Sequence, residues 1–123
     1  NEALYFRAKA YLNQQADKKA MNDLQALAKD TRTLYGAEAK YLVALQLYKA
    51  HEYAAAEKEI LNFIEQSTPH AYWLARSFIL LSDVYVAMDK KLDARQYLLS
   101  LQQNYHADDD IEQMINERLE KLK

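Results

Sequence analysis

The chain contains no cysteine, and only one glycine (Gly36) and one proline (Pro69) in 123 residues. Without cysteine there can be no disulfide, thiolate metal site or cysteine nucleophile, and either an oxidising or a reducing compartment fits equally well. A single glycine excludes a glycine-rich phosphate cradle. So few helix breakers, set among abundant Ala, Leu, Lys, Glu and Gln, favour helix almost throughout. No apolar run approaches the roughly 18 residues of a membrane span. The net charge is −2 with 28% charged residues, so neither a basic nucleic-acid footprint nor a polybasic membrane patch is expected. The opening "NEALYFRAKA" has no initiator Met and is already in helical pattern, and it reads as part of a longer protein from an open compartment, cell envelope or cytoplasm.

What is present is helical periodicity without strand alternation. "EALYFRAKAYLNQ" and "KKAMNDLQALAKD" form one pair of helices, with Asp17 as the expected cap of the second. "AEAKYLVALQLYKA" and "YAAAEKEILNFIEQ" form another. A third pair is expected at about 70–88 and 91–104, with Thr68 as N-cap and Pro69 in the first helical turn. Polar residues Asp89, Lys90 and Lys91 should carry the sharp turn inside that pair.

The pairs share a spacing. Ala8, Tyr11, Ala20, Leu24 and Leu27 are separated by steps of 3, 9, 4 and 3. Ala44, Leu47, Ala56, Ile60 and Phe63 repeat those steps, as do Ser82, Tyr85, Ala94, Leu98 and Leu101. The sets start 36 and then 38 residues apart, the period of a helical repeat array. Two small residues let antiparallel backbones approach, and the large ones fill the space beside the contact. One such hairpin cannot bury its own apolar face and must stack on the next.

On this spacing, and on "YAAAEKEI" following "YKAHE", the chain resembles the tetratricopeptide repeat family over roughly residues 3–105. It departs from the family pattern in carrying Leu4, Lys40 and Phe78 where tryptophan is usual, and Ala8, Ala44 and Ser82 where glycine is usual. The resemblance implies an all-α, right-handed α-α superhelix: a single domain over 1–123 with units at 1–34, 37–68 and 69–106, closed by a capping helix at 108–123. In the cap, Ile111, Met114, Ile115, Leu119 and Leu122 form one apolar stripe, with acids at its start and lysines at its end to match the helix dipole. The units' look also resembles that of bacterial members of the family.

The first helix of each unit in this family lines a concave groove. The matching positions are Tyr5, Lys9, Leu12 and Asn13, then Tyr41, Leu45, Tyr48 and Lys49, then Arg76, Ile79, Asp83 and Val86. The implied function is a non-catalytic scaffold holding a protein or peptide partner, the tyrosines offering large contact area with few torsions to freeze. Ten tyrosines also serve packing, and Tyr11 and Tyr85 are expected to do so. The carboxylate clamp of chaperone-binding relatives is not expected, since its places hold Tyr5 and Lys9 in one unit and Leu42 and Leu45 in the next. The alternatives are a structural end piece of a longer array, acting as spacer, cap or self-association surface, and an accessory domain of an enzyme.

No catalytic residue, metal site or cofactor is expected. His51, His70 and His106 lie one per turn region, and "HEYAAAE" only begins like a zinc-protease motif. Asp108–Asp110 lacks the alternation and central glycine of a calcium loop and is expected to cap the last helix.

Overall fold

A computed structural model describes residues 2–123 and is all-helical. Seven helices follow one another among these residues: α1 Glu2–Asn13, α2 Asp17–Leu27, α3 Leu34–Lys49, α4 Tyr53–Glu65, α5 Ala71–Ala87, α6 Lys91–Asn104 and α7 Ile111–Lys121. Helix α1 packs on α2, α3 on α4, and α5 on α6. Each pair meets the next through its second helix, α2 on α3 and α4 on α5, and the first helices also touch each other in series. Helix α7 packs on both α5 and α6.

The repeat register seen in the sequence is physical. Gln15, His51 and Asp89, 36 and 38 residues apart, all have positive φ, at 59°, 62° and 60°. Each ends the first helix of a pair in the left-handed conformation usually given to glycine. The following amide closes back five residues: Ala16 N to Tyr11 O (2.8 Å), Glu52 N to Leu47 O (2.9 Å) and Lys90 N to Tyr85 O (2.7 Å). The next helix then starts at once, with Ala20, Ala56 and Ala94 donating to the carbonyls of Ala16, Glu52 and Lys90. These three alanines are fully buried. The polar residue Asp89 does carry the third turn.

Three expected helix starts differ in detail. Ala16, not Asp17, is the N-cap of α2, with no side-chain cap. Helix α5 starts at Ala71 with His70 at the N-cap, leaving Pro69 outside the helix. The Thr68 hydroxyl accepts from His70 N and donates to Thr31 O (2.6 Å), so it ties the α4–α5 linker to the α2–α3 linker. Helix α3 starts earlier than "AEAKYL", at Leu34. Thr33 caps it by accepting from Gly36 N (2.9 Å). At the start of α7, Asp110 sits at the N-cap, and it is the neighbouring carboxylate of Asp109 that accepts from Ile111 N.

The single glycine is required by close packing. A Cβ on Gly36 would lie 1.9 Å from the carbonyl oxygen of Asp30, so the α2–α3 linker passes directly against the first turn of α3.

Three apolar clusters run along the array. One joins α1, α2 and α3, one joins α3 to α6, and one joins α5, α6 and α7. Leu42 and Leu47 belong to the first two clusters, and Leu122 joins the last two, so the core is continuous.

Candidate functional site

The seams between successive pairs repeat one arrangement. Tyr5 of α1 packs on Tyr35 of α3 with ring centroids 4.5 Å apart. One unit on, Tyr41 packs on Trp73 of α5 at 5.5 Å. At the third seam Ile79 and Ile111 share one core cluster. Glu38 and Arg76 occupy matching places and reach back across their seams. The Tyr5 hydroxyl donates to Glu38 (2.9 Å), which also pairs with Lys9 (2.7 Å). Arg76 donates to the hydroxyls of Tyr41 (3.2 Å) and Tyr72 (2.9 Å), and Tyr72 donates to Asp110. Burial, then the bond to Glu38, raises the Tyr5 hydroxyl pKa, so Tyr5 stays a neutral donor at ordinary pH.

This geometry divides the expected groove residues. Tyr41 is 6% exposed and Ile79 1% exposed; both are seam packing and neither is on an open face. Tyr5, Lys9 and Arg76 are engaged in the seam contacts just described. Helical periodicity on α3 could not have separated these roles, because α3 is buried on nearly every side: Gly36–Tyr41, Val43 and Ala44 are all in the interior.

The rest of the set lines two open clefts. The first, of about 530 Å³, is bounded by Leu12, Gln15, Asp17, Leu42, Leu45, Gln46 and Lys49. The second, of about 520 Å³, takes its walls from Tyr48, Asp83 and Val86 together with Lys91, Leu98, Glu117, Arg118, Lys121 and Leu122. Asn13 is exposed and borders neither. In the repeat register Asp17, Tyr53 and Lys91 are equivalent. Tyr53 packs into the middle core and against Tyr48 with centroids 5.8 Å apart, whereas Asp17 and Lys91 border the open clefts.

Helix α7 contributes a wall that single-helix patterns did not reveal. Arg118 forms two hydrogen bonds with Asp83 of α5 (2.9 and 3.0 Å), so one expected groove carboxylate is already neutralised by the chain's own last helix. The apolar stripe expected on α7 faces inward as anticipated: Ile111 and Ile115 are buried, and Met114, Leu119 and Leu122 pack on the core. Gln15, Asp17, Gln46 and Lys91 could have been found from the repeat register, as neighbours of the matched positions.

Chemically, each cleft offers partly exposed apolar surface (Leu12 and Leu45, or Tyr48 and Val86) rimmed by charges of both signs. Among the described residues no group of three or more His, Cys, Asp or Glu is placed to hold a metal ion, and no helix is long and apolar enough to cross a membrane. No family model, curated protein or solved structure matches this chain.

Proposed function

We propose that the protein is a tetratricopeptide-type array, a right-handed stack of three helix hairpins with α7 as its cap, and that it works as a non-catalytic protein-interaction scaffold. The ligand is a peptide or helix of a partner protein laid along the inner face. Its apolar side chains enter the clefts beside Leu12 and Leu45 and beside Tyr48 and Val86, while Lys49, Lys91 and Lys121 orient it. The supporting observation is the pair of open clefts at seams one and three, where Asp17 and Lys91 stand in place of the core-packing Tyr53. Partly exposed aliphatic and tyrosine surface in a rigid helical frame is suited to binding, because little ordering entropy is lost on contact.

The test is selection of ligands from a displayed peptide library against the whole protein, followed by mapping of amide shifts. Selected peptides should perturb Leu45, Tyr48 and Val86 and lose at least about tenfold in affinity on Leu45→Asp or Val86→Asp, a loss of ~1.4 kcal/mol. Peptides that bind both variants unchanged would sink the reading. A second reading, a structural piece of a longer array, is favoured by the outer face of α1.

A further inference from the structure

Helix α1 leaves uncovered a face that the equivalent helices bury. In the repeat register, Ala3, Phe6, Arg7 and Ala10 correspond to Ala39, Leu42, Val43 and Gln46 of α3 and to Ser77, Leu80, Leu81 and Val84 of α5. Ala39, Val43, Ser77, Leu80, Leu81 and Val84 are buried, and Leu42 packs against two core clusters. The α1 residues are all exposed, Phe6 at 58% against 4% for Leu80.

What covers the equivalent faces is on view. The face of α3 lies under α2, with Met21, Leu24 and Ala28 sharing a cluster with Ala39 and Val43. That of α5 lies under α4, with Ile60 sharing a cluster with Leu80, Leu81 and Val84. The outer face of α7 is of a different kind. The outward residues of α7 are Glu112, Gln113, Asn116, Glu117 and Glu120, all polar and exposed. Helix α1 has Ala3 and Ala10 flanking Phe6 instead, at helical spacing, and Phe6 makes an edge contact with Tyr5 at 5.4 Å. Small residues beside one large aromatic are what a closely approaching helix requires.

From this contrast we infer that the outer face of α1 is a docking surface for a further hairpin of the same array, in series with these three, packed on α1 through its second helix as α2 packs on α3. Arg7 is the one charged residue on that face. Its guanidinium already makes two hydrogen bonds with Asp23 (2.8 and 2.7 Å), so a covering helix meets a neutralised pair. The inference uses the covered faces of α3 and α5 and no cleft residue, so it stands or falls independently of the inner-face ligand.

The experiment joins a second copy of residues 38–75 to the whole chain directly ahead of Glu2, in place of Asn1. This keeps the repeat register and carries Trp73 along to pack on the copied Tyr41. Amide hydrogen exchange is then followed in α1. Docking should slow exchange in α1 by at least about tenfold, and Phe6→Glu in the extended protein should cancel that gain while leaving the unextended protein's thermal midpoint unchanged. A graft that stays unfolded beside a folded parent would overturn the inference, because the face would then fail to support the hairpin it is said to fit. So would unaltered exchange in α1. An unextended protein that sediments as a dimer, and as a monomer after Phe6→Glu, would assign the face to self-association instead.

Discussion

Replacing Tyr41 by alanine tests the assignment of this residue to a seam between units. Its ring packs at a tilt against Trp73, lies under the Arg76 guanidinium (5.2 Å from the ring centroid) and is 6% exposed. A fully buried tyrosine removes on the order of 150–250 Å² from water. At roughly 25 cal/mol per Å², and allowing for the methyl group that alanine retains, the lost transfer energy is about 3–4 kcal/mol. The cavity adds to this, since two helices cannot both collapse onto it, and aromatic-to-alanine changes in cores cost ~3–5 kcal/mol. Against a typical total of about 5–15 kcal/mol, that is a large share of the stability. Equilibrium urea unfolding followed by circular dichroism at fixed pH reads the change directly. Tyr48→Ala is the internal control. This ring is only partly buried and should cost about 1–2 kcal/mol. A Tyr41→Ala loss below ~1 kcal/mol, or one no larger than that of Tyr48→Ala, would refute the seam assignment and return Tyr41 to the open face.

Gly36→Ala should destabilise by about 2 kcal/mol in the same assay, against the ~1 kcal/mol gain that helix propensity alone would give, because the new Cβ overlaps Asp30 O; a rise in stability would show that the α2–α3 linker moves freely. His51→Gly should raise stability by roughly 0.5–1 kcal/mol, read as a higher thermal midpoint, because φ of 62° strains any side chain with a Cβ. Arg118→Ala removes both bonds to Asp83 and should speed amide exchange in α7 severalfold while leaving α1 unaffected, a difference readable by mass spectrometry. The hydrogen bonds from Arg7 hold the Asp23 carboxyl below its ordinary value. Its contribution to stability is therefore complete above the unfolded value near 4 and is lost as pH falls through the lower folded value. Asp23→Asn should flatten the acid limb of a thermal-midpoint profile below about pH 4, and an unchanged limb would remove this pair from the account.

The all-helical class was legible because helix breakers are nearly absent and the apolar spacing is periodic. The hairpin register was legible too, because small residues at Ala8, Ala20, Ala44, Ala56, Ser82 and Ala94 recur wherever two backbones must come close. The turn inside the third pair could be placed as well, from its polar residues Asp89 to Lys91, since the chain must reverse there without glycine. All of these are properties of one helix or of two consecutive helices, and local spacing encodes them.

Which face of each first helix is open was settled only by the tertiary structure. A helix such as α3, buried nearly all round, presents the same periodicity on the strip that packs and on the strip left open. Its rotation is set by neighbours 30 or more residues away: Trp73 and Arg76 cover Tyr41, and Tyr35 and Glu38 hold Tyr5. The pairing of Arg118 with Asp83 and the passage of Asp30 against Gly36 are likewise contacts between elements. Composition and spacing determined that this chain would be stacked helical hairpins. The packing of one hairpin on the next decided which tyrosines became core and which clefts remained open, because burial belongs to a pair of surfaces and only one of them lies on any given helix.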